Sequence, residues 1–229
     1  MSIGTGKTEL ENGIKLFRNE NYQEAIDSLE KTFENKNDIE SGYHLALAYA
    51  QIQNYDKTLE TFDKIMRRLD NPLRIMQAHI IVGYIYAIKE MYDLAEFELL
   101  DALASGIENT QIHSVLGYIY YKKNNTRKAI DSLRKAVAMD SQSANARNSL
   151  GFILADSGIN IDEGISEIKK ALNMDPKNPA YLDSLGWAFF KKNDIANAKE
   201  FLTKAFEIAP TNKDIKEHLI KLDQLGYKK

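Results

Sequence analysis

Six small residues, Gly13, Ala46, Gly83, Gly117, Gly151 and Gly186, recur along this chain at intervals of 33, 37, 34, 34 and 35 residues. A second series follows twelve or thirteen positions later: Ala25, Thr58, Ala95, Ala129, Gly164 and Ala198. A third lies seven further on: Thr32, Ile65, Ala102, Ala136, Ala171 and Ala205. Large residues alternate with these, at Leu16, Tyr49, Tyr86, Tyr120, Leu154 and Phe189, and at Leu29, Phe62, Leu99, Leu133, Ile168 and Leu202. Small against large is what closely packed antiparallel helices require, because a small residue lets the neighbouring helix approach. A bundle without repetition has no reason to keep that register six times.

The clearest unit is Ala180–Pro210. Leu182, Leu185, Gly186 and Phe189 recur at the three- and four-residue spacing of one helix face, and Ala198, Leu202 and Ala205 mark a second helix. A polar Lys-Lys-Asn-Asp break separates them, with Asp194 a candidate N-cap, and Pro210 ends the second helix. The same reading predicts first helices near 6–18, 39–52, 73–88, 110–122, 144–156 and 179–191. Second helices fall near 22–34, 55–69, 92–104, 126–138, 161–173 and 195–208. Three extra residues precede Pro72, which is tolerated in a first turn, and one extra residue lengthens the turn Asp156–Asn160. Residues 213–225 read as a last helix, with Ile215, Leu219 and Leu222 on one face, that caps the open end of the array.

This pattern resembles the tetratricopeptide repeat, a helix–turn–helix unit of 34 residues. The resemblance covers roughly residues 6 to 212 as six units and is strongest over Gln111–Pro210. It implies an all-α, right-handed α-solenoid of six helix–turn–helix repeats plus a C-terminal capping helix. The units fall at about 6–38, 39–75, 76–109, 110–143, 144–178 and 179–212, after a flexible N-terminus over 1–5 and before a capping helix and tail over 213–229. In this family, first helices line an inner, concave side. The ninth residue of each unit then gives an apolar ladder, Ile14, Leu47, Tyr84, Tyr118, Phe152 and Trp187, aromatic from the third unit onward. The twelfth and fifth positions add Tyr121, Asn148 and Asp183, and Asn145 stands near them. Aromatic anchors with a few amides suit an extended peptide or a partner helix, because an Asn side chain can pair with a peptide backbone as donor and acceptor. The plainer account is that the stripe only packs first helices together. The Lys, Arg and Asn set with which some members of the family hold C-terminal carboxylates is missing from the corresponding positions.

Other chemistry finds little support. The chain has no Cys, so disulfides and thiolate metal sites are out. A net charge of −3 supplies no global field for nucleic acid or an anionic membrane. No apolar run approaches the ~18 residues of a membrane span. Gly4-Thr5-Gly6-Lys7-Thr8 lacks the preceding strand and first glycine of a phosphate loop. The four histidines, His44, His79, His113 and His218, read as packing or surface groups, and no convergent catalytic set stands out. The expectation is therefore a non-catalytic protein–protein interaction scaffold, with no cofactor and no metal, binding a peptide segment or partner helix. The predicted groove residues are Tyr84, Tyr118, Tyr121, Asn145, Asn148, Phe152, Asp183 and Trp187. The alternative is a self-associating assembly protein, a homodimer formed through the groove or a solenoid end. With Met1 as a natural start the expected compartment is the cytoplasm; a cleaved export or lipoprotein leader would leave no trace here.

Overall fold

The computed structural model describes residues 3–104, 106 and 108–226. Part of the predicted N-terminal lead-in (Met1, Ser2) and the expected tail (227–229) lie outside the described residues. Among the described residues there are thirteen α-helices, one 3-10 turn and no strand. The helices pair into six hairpins followed by one further helix. The chain divides into two compact units, Met1–Ile107 and Glu108–Lys229.

In unit 1 the hairpins are α1 (Ile3–Arg18) with α2 (Tyr22–Lys36), α3 (Ile39–Gln51) with α4 (Tyr55–Ile65), and α5 (Pro72–Ile88) with α6 (Tyr92–Ala104). The three extra residues before Pro72 extend α4 as a 3-10 turn, Met66–Arg68. Asn71 then caps α5, its Oδ1 accepting from the N–H groups of Leu73 and Arg74, and Pro72 occupies the first turn. In unit 2 the hairpins are α7 (Thr110–Lys122) with α8 (Thr126–Met139), α9 (Ala144–Asp156) with α10 (Ile161–Met174), and α11 (Pro179–Lys191) with α12 (Ile195–Ile208). The last helix, α13 (Lys213–Gly226), packs on α11 and α12.

The small/large register is the packing rule of every hairpin. All residues of the second and third series are buried, and so are Leu29, Phe62, Leu99, Leu133, Ile168 and Leu202. The glycines of the first series face those large residues. A Cβ placed on Gly117 would lie 2.5 Å from Leu133, and one on Gly186 2.7 Å from Leu202. The tightest crossing joins α9 and α10, where a Cβ on either Gly151 or Gly164 would stand 2.6 Å from the other's carbonyl oxygen.

The hairpin turns share one device. A residue with left-handed backbone, Glu20, Gln53, Glu90, Asn124 or Asn193, precedes the second helix in five of them. The lengthened fifth turn places Gly158 in that conformation, at φ 72°. Asp194 is the N-cap expected, its Oδ1 accepting from the Asn197 N–H at 3.2 Å. Asn54, Asn125 and Asn160 do the same for α4, α8 and α10.

Candidate functional site

Seven of the eight predicted groove residues lie in unit 2. Tyr118 and Tyr121 are on α7; Asn145, Asn148 and Phe152 are on α9; Asp183 and Trp187 are on α11. These first helices are packed side by side, α7 on α9 and α9 on α11. Tyr84 is on α5 of unit 1, where its side chain is 49% exposed.

The open part of the unit 2 face is on α7 and α9. Tyr118 is 44% exposed, with the Lys122 ammonium 5.6 Å from its ring centroid. Phe152 is half-buried and meets Tyr121 edge to face, centroids 6.1 Å apart. Asn145 is exposed, and its Oδ1 accepts from the Tyr181 hydroxyl at 2.6 Å. Asn148 carries a buried Oδ1 without a hydrogen-bond partner. Buried acceptors are nearly always paired, so the unpartnered Asn148 Oδ1 stands out on this face.

A half-buried network stands behind this face. Asp156 Oδ2 accepts from the Tyr121 hydroxyl at 2.5 Å, and its Oδ1 accepts from Trp187 Nε1 at 2.8 Å. The Lys191 ammonium lies 3.5 Å from the same Oδ1. Burial by itself would raise the Asp156 carboxyl, but the Tyr121, Trp187 and Lys191 donors outweigh it and hold the pKa below the ordinary carboxylate value. Burial, and then the bond to Asp156, push the Tyr121 hydroxyl upward, so it stays a protonated donor.

The last two predicted residues are closed off. Asp183 and Trp187 are each only 7% exposed. The cause is α13: the His218 ring stacks on Trp187 at 4.1 Å, and its Nδ1 lies 2.9 and 3.0 Å from the two Asp183 carboxylate oxygens. Phe190 stacks on Trp187 at 4.9 Å, and the Lys221 ammonium lies 5.3 Å from its ring centroid. The capping helix therefore covers this part of α11. His218 is 35 residues beyond Asp183, so α13 sits where the first helix of a seventh repeat would.

Asp156 and His218 were missed as members of this face. Asp156 reads as the start of a turn, and His218 as a surface histidine; only the period of about 35 residues hinted at either pairing. Of the other histidines, His79 Nδ1 meets Glu98 at 2.7 Å and His44 Nε2 meets Glu40 at 3.1 Å. His113 is buried, and burial lowers its pKa. Among the described residues no three His, Asp or Glu side chains converge as metal ligands, and no helix is long and apolar enough to cross a membrane. A cleft in unit 1, lined by Glu30, Tyr49, Lys57, Glu60 and Lys64 among others, contains none of the predicted residues.

Helix hairpins in one register, with first helices abreast and a solvated closing helix, define a helical-repeat protein. A TPR repeat model matches residues 117–158, and two Tetratricopeptide repeat models match residues 180–212 and 40–69. Over these residues the chain carries tetratricopeptide repeats. It is similar to a TPR repeat-containing protein of Pseudomonas aeruginosa, 34% identical over 80 residues, a match spanning 35% of this chain and 13% of that relative. Among solved structures it is similar to YrrB, described as a TPR protein with an unusual peptide-binding site. That likeness has 26% identity and a TM-score of 0.61, and covers 82% of this chain and 96% of the other. PilW, described as a widely conserved type IV pilus biogenesis factor, shares the fold at 14% identity and a TM-score of 0.74, over 95% of this chain and all of its own. The PilF structure of Pseudomonas aeruginosa does so at 14% identity and a TM-score of 0.74, over 94% and 97% of the two chains.

Proposed function

We propose that this protein is a non-catalytic interaction scaffold, and that the α7–α9 face of unit 2 holds an extended peptide segment of a partner protein. The observation that carries the reading is the orphan acceptor: Asn148 Oδ1 is buried without a partner, on the same helix as Phe152 and beside the helix that bears exposed Tyr118. Turned outward, the Asn148 amide pairs with a peptide backbone and loses nothing inside, while the aromatic rings bury apolar side chains on either side of it. Tyr121 and Asn145 shape the wall. Asp183 and Trp187 support it from behind, since His218 already covers them. The likeness to YrrB, a repeat protein with a peptide-binding site, agrees with this reading.

The test is selection of peptides from a random displayed library on the full chain, followed by affinity measurement on variants. Selected peptides are expected to lose about tenfold or more in affinity for Tyr118→Ala and for Asn148→Ala, the usual cost of an interface anchor. Peptides that bind both folded variants as well as they bind the original chain would refute the proposal. Mass measured across a concentration series covers self-association: a dimer that Tyr118→Ala dissociates would assign the face to a second copy instead.

A further inference from the structure

Helix α6 breaks the pattern of the other second helices on its outward side. Take the residues one before, two after and five after the second small-residue series. In five hairpins these are charged or polar throughout. In the third they are Leu94, Phe97 and Leu100. The residue preceding the second helix is Asn21, Asn54, Asn125, Asn160 or Asp194 in the other hairpins, and Met91 here. None of these four packs into the hairpin, because Ala95, Leu99 and Ala102 fill the core face of α6. They stand 44% (Met91), 43% (Leu94), 58% (Phe97) and 45% (Leu100) exposed. Residues three apart are neighbours on a helix surface, so the four make one continuous stripe. A contiguous apolar stripe on a soluble surface marks an interaction site far more often than four scattered residues do.

The charges beside the stripe say what fits it. From Glu90 to Ala104 the sequence contains no Lys or Arg, while it contains Glu90, Asp93, Glu96, Glu98 and Asp101. Glu90, Asp93 and Asp101 are exposed. A second copy docked on this face would set carboxylates against carboxylates, and anionic lipid or nucleic acid would meet the same repulsion. An apolar ridge on a helix packs best against the apolar ridge of another helix. We propose that α6 is a second docking surface, separate from the peptide face, and that its occupant is an amphipathic helix of a partner protein whose apolar side is flanked by Lys and Arg.

The probe is a fluorescently labelled synthetic helix of about 18 residues, five turns, with Leu on one face and Lys on its flanks. A matched control carries Glu in place of Lys. Anisotropy titrations of the full chain are expected to show binding of the Lys helix, weakening as salt rises, and no binding of the Glu helix. Phe97→Ala and Leu100→Ala should each weaken binding about tenfold, as loss of a buried anchor does. Glu90→Gln with Asp101→Asn should weaken it and flatten its salt dependence, while Tyr118→Ala leaves it unchanged. All five positions are exposed, and circular dichroism melts identify any variant that has lost its fold. The proposal fails if the Lys helix does not bind, if the Glu helix binds equally, or if folded Phe97→Ala and Leu100→Ala both bind at full strength. It fails equally if the chain sediments as a dimer that Phe97→Glu dissociates, or if phosphatidylserine vesicles carry down the original chain and not Phe97→Ala.

Discussion

Replacing Gly151 by Ala tests the close approach on which the repeat register depends. A Cβ at that position would lie 2.6 Å from the Gly164 carbonyl oxygen, 2.7 Å from Ile168 Cγ1 and 3.0 Å from the Ile168 N–H nitrogen. Two of those three atoms are backbone, so no rotamer change relieves the clash and α10 must move away from α9. Overpacking of a tight core costs about 1–3 kcal/mol, and a collision with backbone belongs at the upper end. Alanine returns about 1 kcal/mol through its better helix propensity. The expected net loss is about 2 kcal/mol, or roughly 6–12 °C in melting temperature for a unit of this size. Trp187 is the one tryptophan in the chain and lies on α11, which packs against both helices, so its fluorescence in urea reports unit 2 directly. Gly158→Ala is the companion variant, since its Cβ would meet nothing within 4 Å and only the φ of 72° opposes it. It should cost about 1 kcal/mol, and Gly158→Asn should cost less. A Gly151→Ala protein as stable as the original, or more stable, would show that the two helices do not touch as described and would undo the packing argument.

Asp156→Ala leaves the Tyr121 hydroxyl and Trp187 Nε1 without their acceptor; about 2–3 kcal/mol of stability should be lost, read as an earlier urea midpoint, and an unchanged midpoint refutes the network. The folded Asp156 pKa is depressed, so its contribution is complete above the unfolded value of about 3.9 and disappears as pH falls through the lower folded value; the variant should therefore show a shallower loss of stability in acid. His218→Ala uncovers Trp187, and its emission should shift to the red and become easier to quench with acrylamide, with a cost of about 2 kcal/mol; unaltered quenching means that α13 does not lie on that ring. Burial lowers the His113 pKa, so the unfolded chain takes up the proton more readily, and stability should fall as pH drops below the ordinary histidine value of about 6.5; urea midpoints at pH 7.5 and 5.5 should lie closer together in His113→Phe than in the original chain.

The hairpins were legible because each repeat restates the same packing rule. One unit alone, with Gly186 against Leu202, would be an ordinary helical pair, but six in register leave little freedom. Pro72 and Asp194 could be placed for the same reason, since capping and proline rules act within one turn of the chain. Exposure of the inner face was less legible. Tyr118 and Trp187 hold equivalent positions, yet one is open and the other covered, and what separates them is His218, which is 31 residues beyond Trp187 in sequence. Local spacing carries no information about a side chain that arrives from another module. Asp156 escaped notice likewise, because a carboxylate at a helix end looks like a turn residue until Tyr121 and Trp187 are seen to converge on it.

Several polar bonds span about one repeat: Tyr43 to Gln77, Tyr121 to Asp156, Tyr181 to Asn145, and Asp183 to His218. The first three tie a first helix to a neighbouring first helix of the same unit, and the last ties α11 to the closing helix α13. Under tension such ties are loaded in series, so within a unit pulled from its two ends the weakest seam parts first while the hairpins on either side keep their form. A unit of this build yields stepwise, one hairpin after another.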